Sequence, residues 1–109
     1  MITVRFAKRG ENISLRLHGH AGYAEHGKDI VCASASILAY TLASIVGSFD
    51  DAETIIDLES GNTVIECQCK DEKTYISVLN AYHYTVVGYA LLASNYPQYV
   101  ELISDGEDI

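Results

Sequence analysis

The chain has no tryptophan, one proline, one methionine and no apolar run long enough to cross a bilayer. A membrane helix needs about 20 consecutive apolar residues, and every long apolar stretch here is interrupted by Gly, Ser, Thr or Tyr. The N-terminal residues Met1 to Phe6 alternate in polarity and do not form an apolar block, so no secretory signal is expected. The expectation is a soluble, cytoplasmic protein without membrane contact. Cysteine is scarce and odd in number: Cys32, Cys67 and Cys69. That count, without a secretory signal, argues against a disulfide framework and leaves thiols for chemistry, metal binding or packing.

Basic residues run out along the chain. Residues 1–49 carry five basic and three acidic groups, whereas residues 50–109 carry two and twelve, for a net charge of −8. Such a surface repels nucleic acid and attracts a basic protein or peptide. What remains is ordinary globular composition, 49% hydrophobic over 109 residues. That suits one domain, residues 1–109, with one core.

Residues 2–8 and 13–19 each alternate, with Ile2, Val4 and Phe6 on one face and Ile13, Leu15 and Leu17 on another. The turn Arg9-Gly10-Glu11-Asn12 joins them into a hairpin. Residues 20–28 have no period and read as a loop. A helix is expected from an Asp29 N-cap to Val46, ending at Gly47. It is almost uncharged, so it should be buried on more than one face, against the sheet and against another subunit. Residues 53–59 and 63–70 form a second hairpin across Ser60-Gly61-Asn62. A long helix over 72–95 follows, with Ile76, Leu79, His83, Val86, Ala90 and Ala93 at helical spacing and Pro97 closing it. His83 reads as a packing histidine, and the tyrosines from Tyr75 to Tyr96 as core and interface. Residues 98–104 make a last strand, and the acidic tail from Asp105 onward should fray. The order ββαββαβ implies an α+β two-layer sandwich, an antiparallel sheet with two helices on one face.

The chemistry centres on Cys32. A thiolate is the nucleophile, and a free thiol has a pKa of about 8.5, so the anion must be favoured. A helix N-terminus and an adjacent imidazole are the usual devices. With Asp29 as N-cap, Cys32 falls at the third helical position, among backbone N–H groups without intrahelical partners. Those N–H groups are also expected to serve as an oxyanion hole. Ala33 and Ser34 are small and leave this turn open. His20, at the end of the second strand, is the candidate base, with 11 residues between it and Cys32. His26 and His18 are rival bases. Taken singly, Cys32 reads as packing, His20 as an exposed histidine and Asp29 as a simple cap.

The whole string is more specific than its parts. Gly19-His20-Ala21-Gly22 followed by Gly27-Lys28-Asp29-Ile30-Val31-Cys32-Ala33 resembles the Prp family of bacterial ribosomal-processing cysteine proteases. That family is marked by a GHAG segment and a G-x-DIVCA segment, with the twelve-position His-to-Cys gap present here. One departure is Ser34, where alanine is expected. The resemblance implies His20 and Cys32 as the catalytic pair; Asp29, read from the residues as the cap, is the candidate supporting or orienting group. It implies a mobile flap between them over the peptide, where Gly22, Tyr23 and Gly27 are the candidate substrate-binding residues, together with Ala33 and Ser34 at the helix start. It further implies a homodimer that removes the N-terminal extension of large-subunit ribosomal protein twenty-seven, without a metal or other cofactor.

Two other classes stay open at this point. His18 with His20 and Cys67 with Cys69 are i, i+2 pairs that would supply four zinc ligands if their strands met, although their spacing is not that of structural zinc sites. A non-catalytic, ribosome-associated acidic binding protein would use the same surface and need no reactive thiol.

Overall fold

The computed structural model describes residues 1–106. The strands are β1 (Ile2–Arg9), β2 (Asn12–His18), β3 (Glu53–Glu59), β4 (Asn62–Gln68) and β5 (Val100–Gly106). The helices are α1 (Ile30–Val46) and α2 (Glu72–Asn95). The expected order and α+β class hold, and the strands lie in one sheet in the order β3-β4-β2-β1-β5.

Alternation sets which face is covered. Ile2, Val4 and Phe6 of β1, Ile13, Leu15 and Leu17 of β2, and Ile65 and Cys67 of β4 are buried. The register aligns Phe6 with Leu15, Leu15 with Ile65 and Ile13 with Cys67, giving a continuous apolar layer. Arg5 and Arg16 occupy the opposite, exposed face. Both helices lie on the apolar side. Tyr82 of α2 donates its hydroxyl to Ile65 O at 2.8 Å, and Tyr89 donates to Ala35 O of α1 at 2.7 Å. Phe6 meets the Tyr89 ring edge-on at 6.0 Å.

The sheet is not wholly antiparallel: β5 runs parallel to β1. The 24-residue α2 is long enough to carry the chain back across the sheet, which a tight turn cannot do. Asp105 and Gly106, expected to fray, belong to β5, where Arg5 Nη1 meets Asp105 Oδ2 at 2.7 Å. The same expectation for residues 107–109 lies outside the described residues.

The core face of α2 differs from the expected one. Val78, Ala81, Tyr82, Thr85, Tyr89 and Leu92 are buried. His83 is exposed, not packed, and its ring stands 6.3 Å from that of Tyr84. The helix is apolar nearly all round, so periodicity alone does not select a face. The buried face is the one whose tyrosine hydroxyls find carbonyl acceptors. The outer face of α1 leaves Ile30, Ile37 and Tyr40 about half exposed, and β3, an edge strand, exposes Ile55, Ile56 and Leu58.

Candidate active site

A cleft of about 640 Å³ opens where three segments meet: the turn after β2, the first three turns of α1, and the β3–β4 turn. Its walls include His20, Cys32, Ser36, Tyr40, Gly61 and Asn62. The candidate nucleophile and base thus line one cavity.

Asp29 is the N-cap in extended conformation, with φ −86° and ψ 102°, as expected. Its Oδ1 accepts the N–H groups of Val31 at 3.0 Å and Cys32 at 2.9 Å. Its Oδ2 accepts those of Tyr23 at 2.9 Å and Ala24 at 3.2 Å. Desolvation raises its pKa, but the four N–H bonds, that from Cys32 foremost, outweigh it and hold the carboxyl below its ordinary value.

This arrangement corrects the expected oxyanion hole. The N–H groups of Val31 and Cys32 are taken by the Asp29 carboxylate, and Ala33 N–H donates to Asp29 O at 3.0 Å. The donor that faces the sulfur is elsewhere: Ala21 N–H lies 3.4 Å from Cys32 Sγ. Cys32 itself is part-buried.

His20 lies two residues beyond the end of β2. Gly19, at φ +94°, turns the chain out of the sheet, and its N–H donates to Gly61 O at 3.0 Å. The Met1 amino group donates to His20 O at 2.7 Å. Gly61, at φ +77°, is the seat of the imidazole: a Cβ there would stand 2.7 Å from His20 Nε2. No sequence pattern marked Gly61, because strand order alone brings the β3–β4 turn beside the end of β2. Ser36 and Tyr40 were also missed, although their i+4 and i+8 spacing from Cys32 puts them on its helix face.

The remaining candidates divide. Gly22, Gly27, Ala33 and the rival base His26 line the cleft. Tyr23 lies outside the cleft lining; its ring packs edge-on against Tyr96 at 5.6 Å and Tyr99 at 5.2 Å. Ser34 also lies outside: its hydroxyl donates to Ile30 O at 2.7 Å, and it borders a separate groove between α1 and α2. Both were expected at the substrate, and in each case a nearer partner takes the side chain. His18 is exposed on the sheet and does not line the cleft. Cys67 and Cys69 are buried, and burial, with Cys69 beside it, pushes the Cys67 thiol up to about 11. Among the described residues no group of three or more His, Cys, Asp or Glu side chains converges as metal ligands would. None of the described helices is long and apolar enough to cross a membrane.

The cleft thus brings together a part-buried thiol in the first turn of α1, a backbone N–H that touches it, and an imidazole. The family model for cysteine protease Prp matches residues 1–101, and the chain belongs to that family. No curated protein matches. The fold is similar to that of the ribosomal processing protease Prp from S. aureus, solved with a covalently linked product peptide. That similarity has a TM-score of 0.82 at 21% identity, over 96% of this chain and 100% of the other. The same S. aureus protease with a substrate peptide matches with a TM-score of 0.73 at 20% identity, over 96% of this chain and 100% of the other. SMU.848 from Streptococcus mutans matches with a TM-score of 0.71 at 27% identity, over 98% of this chain and 96% of the other.

Proposed function

We propose that this cysteine protease is a ribosomal-processing endopeptidase, with Cys32 as nucleophile and His20 as base. The observation that carries the assignment is the Ala21 N–H directed at Cys32 Sγ inside the cleft that His20 also lines. His20 is preferred over His26 because its backbone is held by Met1 and its ring rests on Gly61, whereas His26 stands on an exposed loop.

His20 takes the Cys32 proton. The thiolate attacks the scissile carbonyl carbon, a C–S bond forms, and the carbonyl electron pair moves onto oxygen. Collapse of that oxyanion breaks the C–N bond, and the imidazolium gives its proton to the leaving amine. Water then adds to the thioester carbonyl as His20 accepts its proton; collapse breaks the C–S bond and releases the acid, and the departing Cys32 thiolate takes that proton back from the imidazolium.

The substrate proposed from the resemblance is the N-terminal extension of large-subunit ribosomal protein twenty-seven. The acidic balance of residues 50–109 favours a basic partner of this kind. The chain is proposed to act as a single domain over residues 1–109, as a cytoplasmic homodimer. The open apolar faces of α1 and β3 are consistent with a second copy. The test is mass-spectrometric cleavage of an extended ribosomal-protein peptide. Wild type should release the extension, and Cys32→Ala should remain folded and release none. Retained cleavage by Cys32→Ala would end the proposal.

A further inference from the structure

The four hydrogen bonds to Asp29 exceed what a helix cap requires. One carboxylate oxygen capping α1 accounts for the N–H groups of Val31 and Cys32. The second oxygen reaches out of the helix and takes two consecutive N–H groups, from Tyr23 and Ala24, in the segment that joins β2 to α1. Residues 22–28 of that segment are all exposed. Among the described residues, this segment is further tied by a Lys28 N–H to Glu25 O bond, an exposed Lys28–Glu25 pair and the Tyr23 ring contacts. Ala21, immediately before this segment, is 3% exposed and supplies the N–H that faces Sγ.

We propose that Asp29 is a positioning residue that clamps the Tyr23–Ala24 backbone to the start of α1, and that it thereby makes Ala21 N–H the donor to the reacting centre. The carboxylate occupies the helix-start N–H groups that would otherwise meet an oxyanion. An oxygen on a carbon bonded to Sγ lies within reach of a donor already 3.4 Å from that sulfur. Asp29 touches neither substrate nor sulfur in this role; it acts through the turn it holds. The catalytic part of the inference rests on Cys32 being the nucleophile, and the clamp itself does not.

Asp29→Asn separates the clamp from the cap. Asparagine caps helices as well as aspartate does. It has only one side-chain oxygen, and its NH2 group would face two backbone N–H donors. The cap should survive and the clamp should open. Amide exchange is the first readout, on the folded chain without substrate. Tyr23 and Ala24 amides should exchange about tenfold faster or more, while Val31 and Cys32 amides stay protected. Peptide cleavage is the second: kcat/KM should fall about tenfold or more, mostly in kcat, because the displaced donor acts on the reacting atoms. Asp29→Ser, another good cap with no second oxygen, should reproduce both effects.

Unchanged exchange at Tyr23 and Ala24 in both variants would overturn the clamp. Faster exchange with kcat within about twofold of wild type would overturn the role of Ala21 N–H, as would a loss confined to KM. If Cys32→Ala still cleaves, the nucleophile assignment and the Ala21 role fail together, while the exchange result still decides the clamp.

Discussion

The two helices begin alike and end up with different work. Each has an aspartate N-cap in extended conformation, Asp29 for α1 and Asp71 for α2. Each has a cysteine within three residues of that cap. Asp71 accepts one backbone N–H, from Thr74 at 3.0 Å. Cys69, 2% exposed, lies 3.6 Å from Asp71 O through its sulfur. Asp29 instead accepts four N–H groups, and Cys32 lines a cleft that His20 also lines. A capped helix start near a thiol is therefore not a site in itself. The difference is what folds over it: the loop after β2 and the β3–β4 turn cover the start of α1 and leave a cavity, whereas Cys69 is packed away.

The largest test of that contrast is a paired alanine replacement. Cys32→Ala should remove peptide cleavage, and Cys69→Ala should leave it near wild type. The cost at Cys69 should be stability, about 1 kcal/mol for a small buried side chain, read from urea unfolding. Cleavage lost equally in both variants would erase the distinction between the two helix starts.

A smaller effect is expected from the surface that seats the base. Gly61→Ala places a Cβ against the His20 ring at a backbone angle that disfavours side chains. Cleavage should fall about tenfold or more, since a misplaced base loses much of its 10²–10⁴-fold contribution. A β3–β4 turn that tolerates alanine with full activity would show that His20 does not depend on Gly61.

The smallest effect is a pH dependence that both caps share. Asp71 is held below its ordinary pKa by the Thr74 N–H and hydroxyl, and Asp29 by its own N–H bonds acting against desolvation. A depressed carboxylate contributes stability that is complete above its unfolded pKa, about 3.9, and is lost as pH falls through the lower folded value. Thermal melts from neutral pH downward should therefore fall off below about pH 4. Asp71→Asn, which keeps a capping oxygen but does not titrate there, should flatten part of that decline without altering cleavage at neutral pH. An identical acid limb in wild type and Asp71→Asn would remove Asp71 from this account.

Much of the fold was legible from particular residues. Strict alternation in Ile2-Val4-Phe6 and Ile13-Leu15-Leu17 marks strands with one covered face, because side chains on a strand have a period of two. Asp29 caps the start of α1 as its chemistry leads one to expect, and α1 ends at Gly47, although that residue keeps a right-handed backbone that does not call for glycine. The core face of α2 was not legible, since apolar residues surround that helix and hydroxyl partners on Ile65 and Ala35 decided which side went in. The parallel pairing of β5 with β1 was not legible either, because local pattern carries no strand direction.

The site divides along the same line. Sequence alone determined that Cys32 stands in the first turn of a capped helix, that His20 stands twelve residues earlier, and that the string joining them is that of a protease family. Only the tertiary structure decided which backbone N–H faces the sulfur, that Asp29 holds the loop as well as the helix, and that the imidazole rests on Gly61. Caps and periodicity act within a few residues along the chain and can be read from it. A hydrogen-bond donor is claimed by the nearest acceptor in space, and that is known only once the strands have paired.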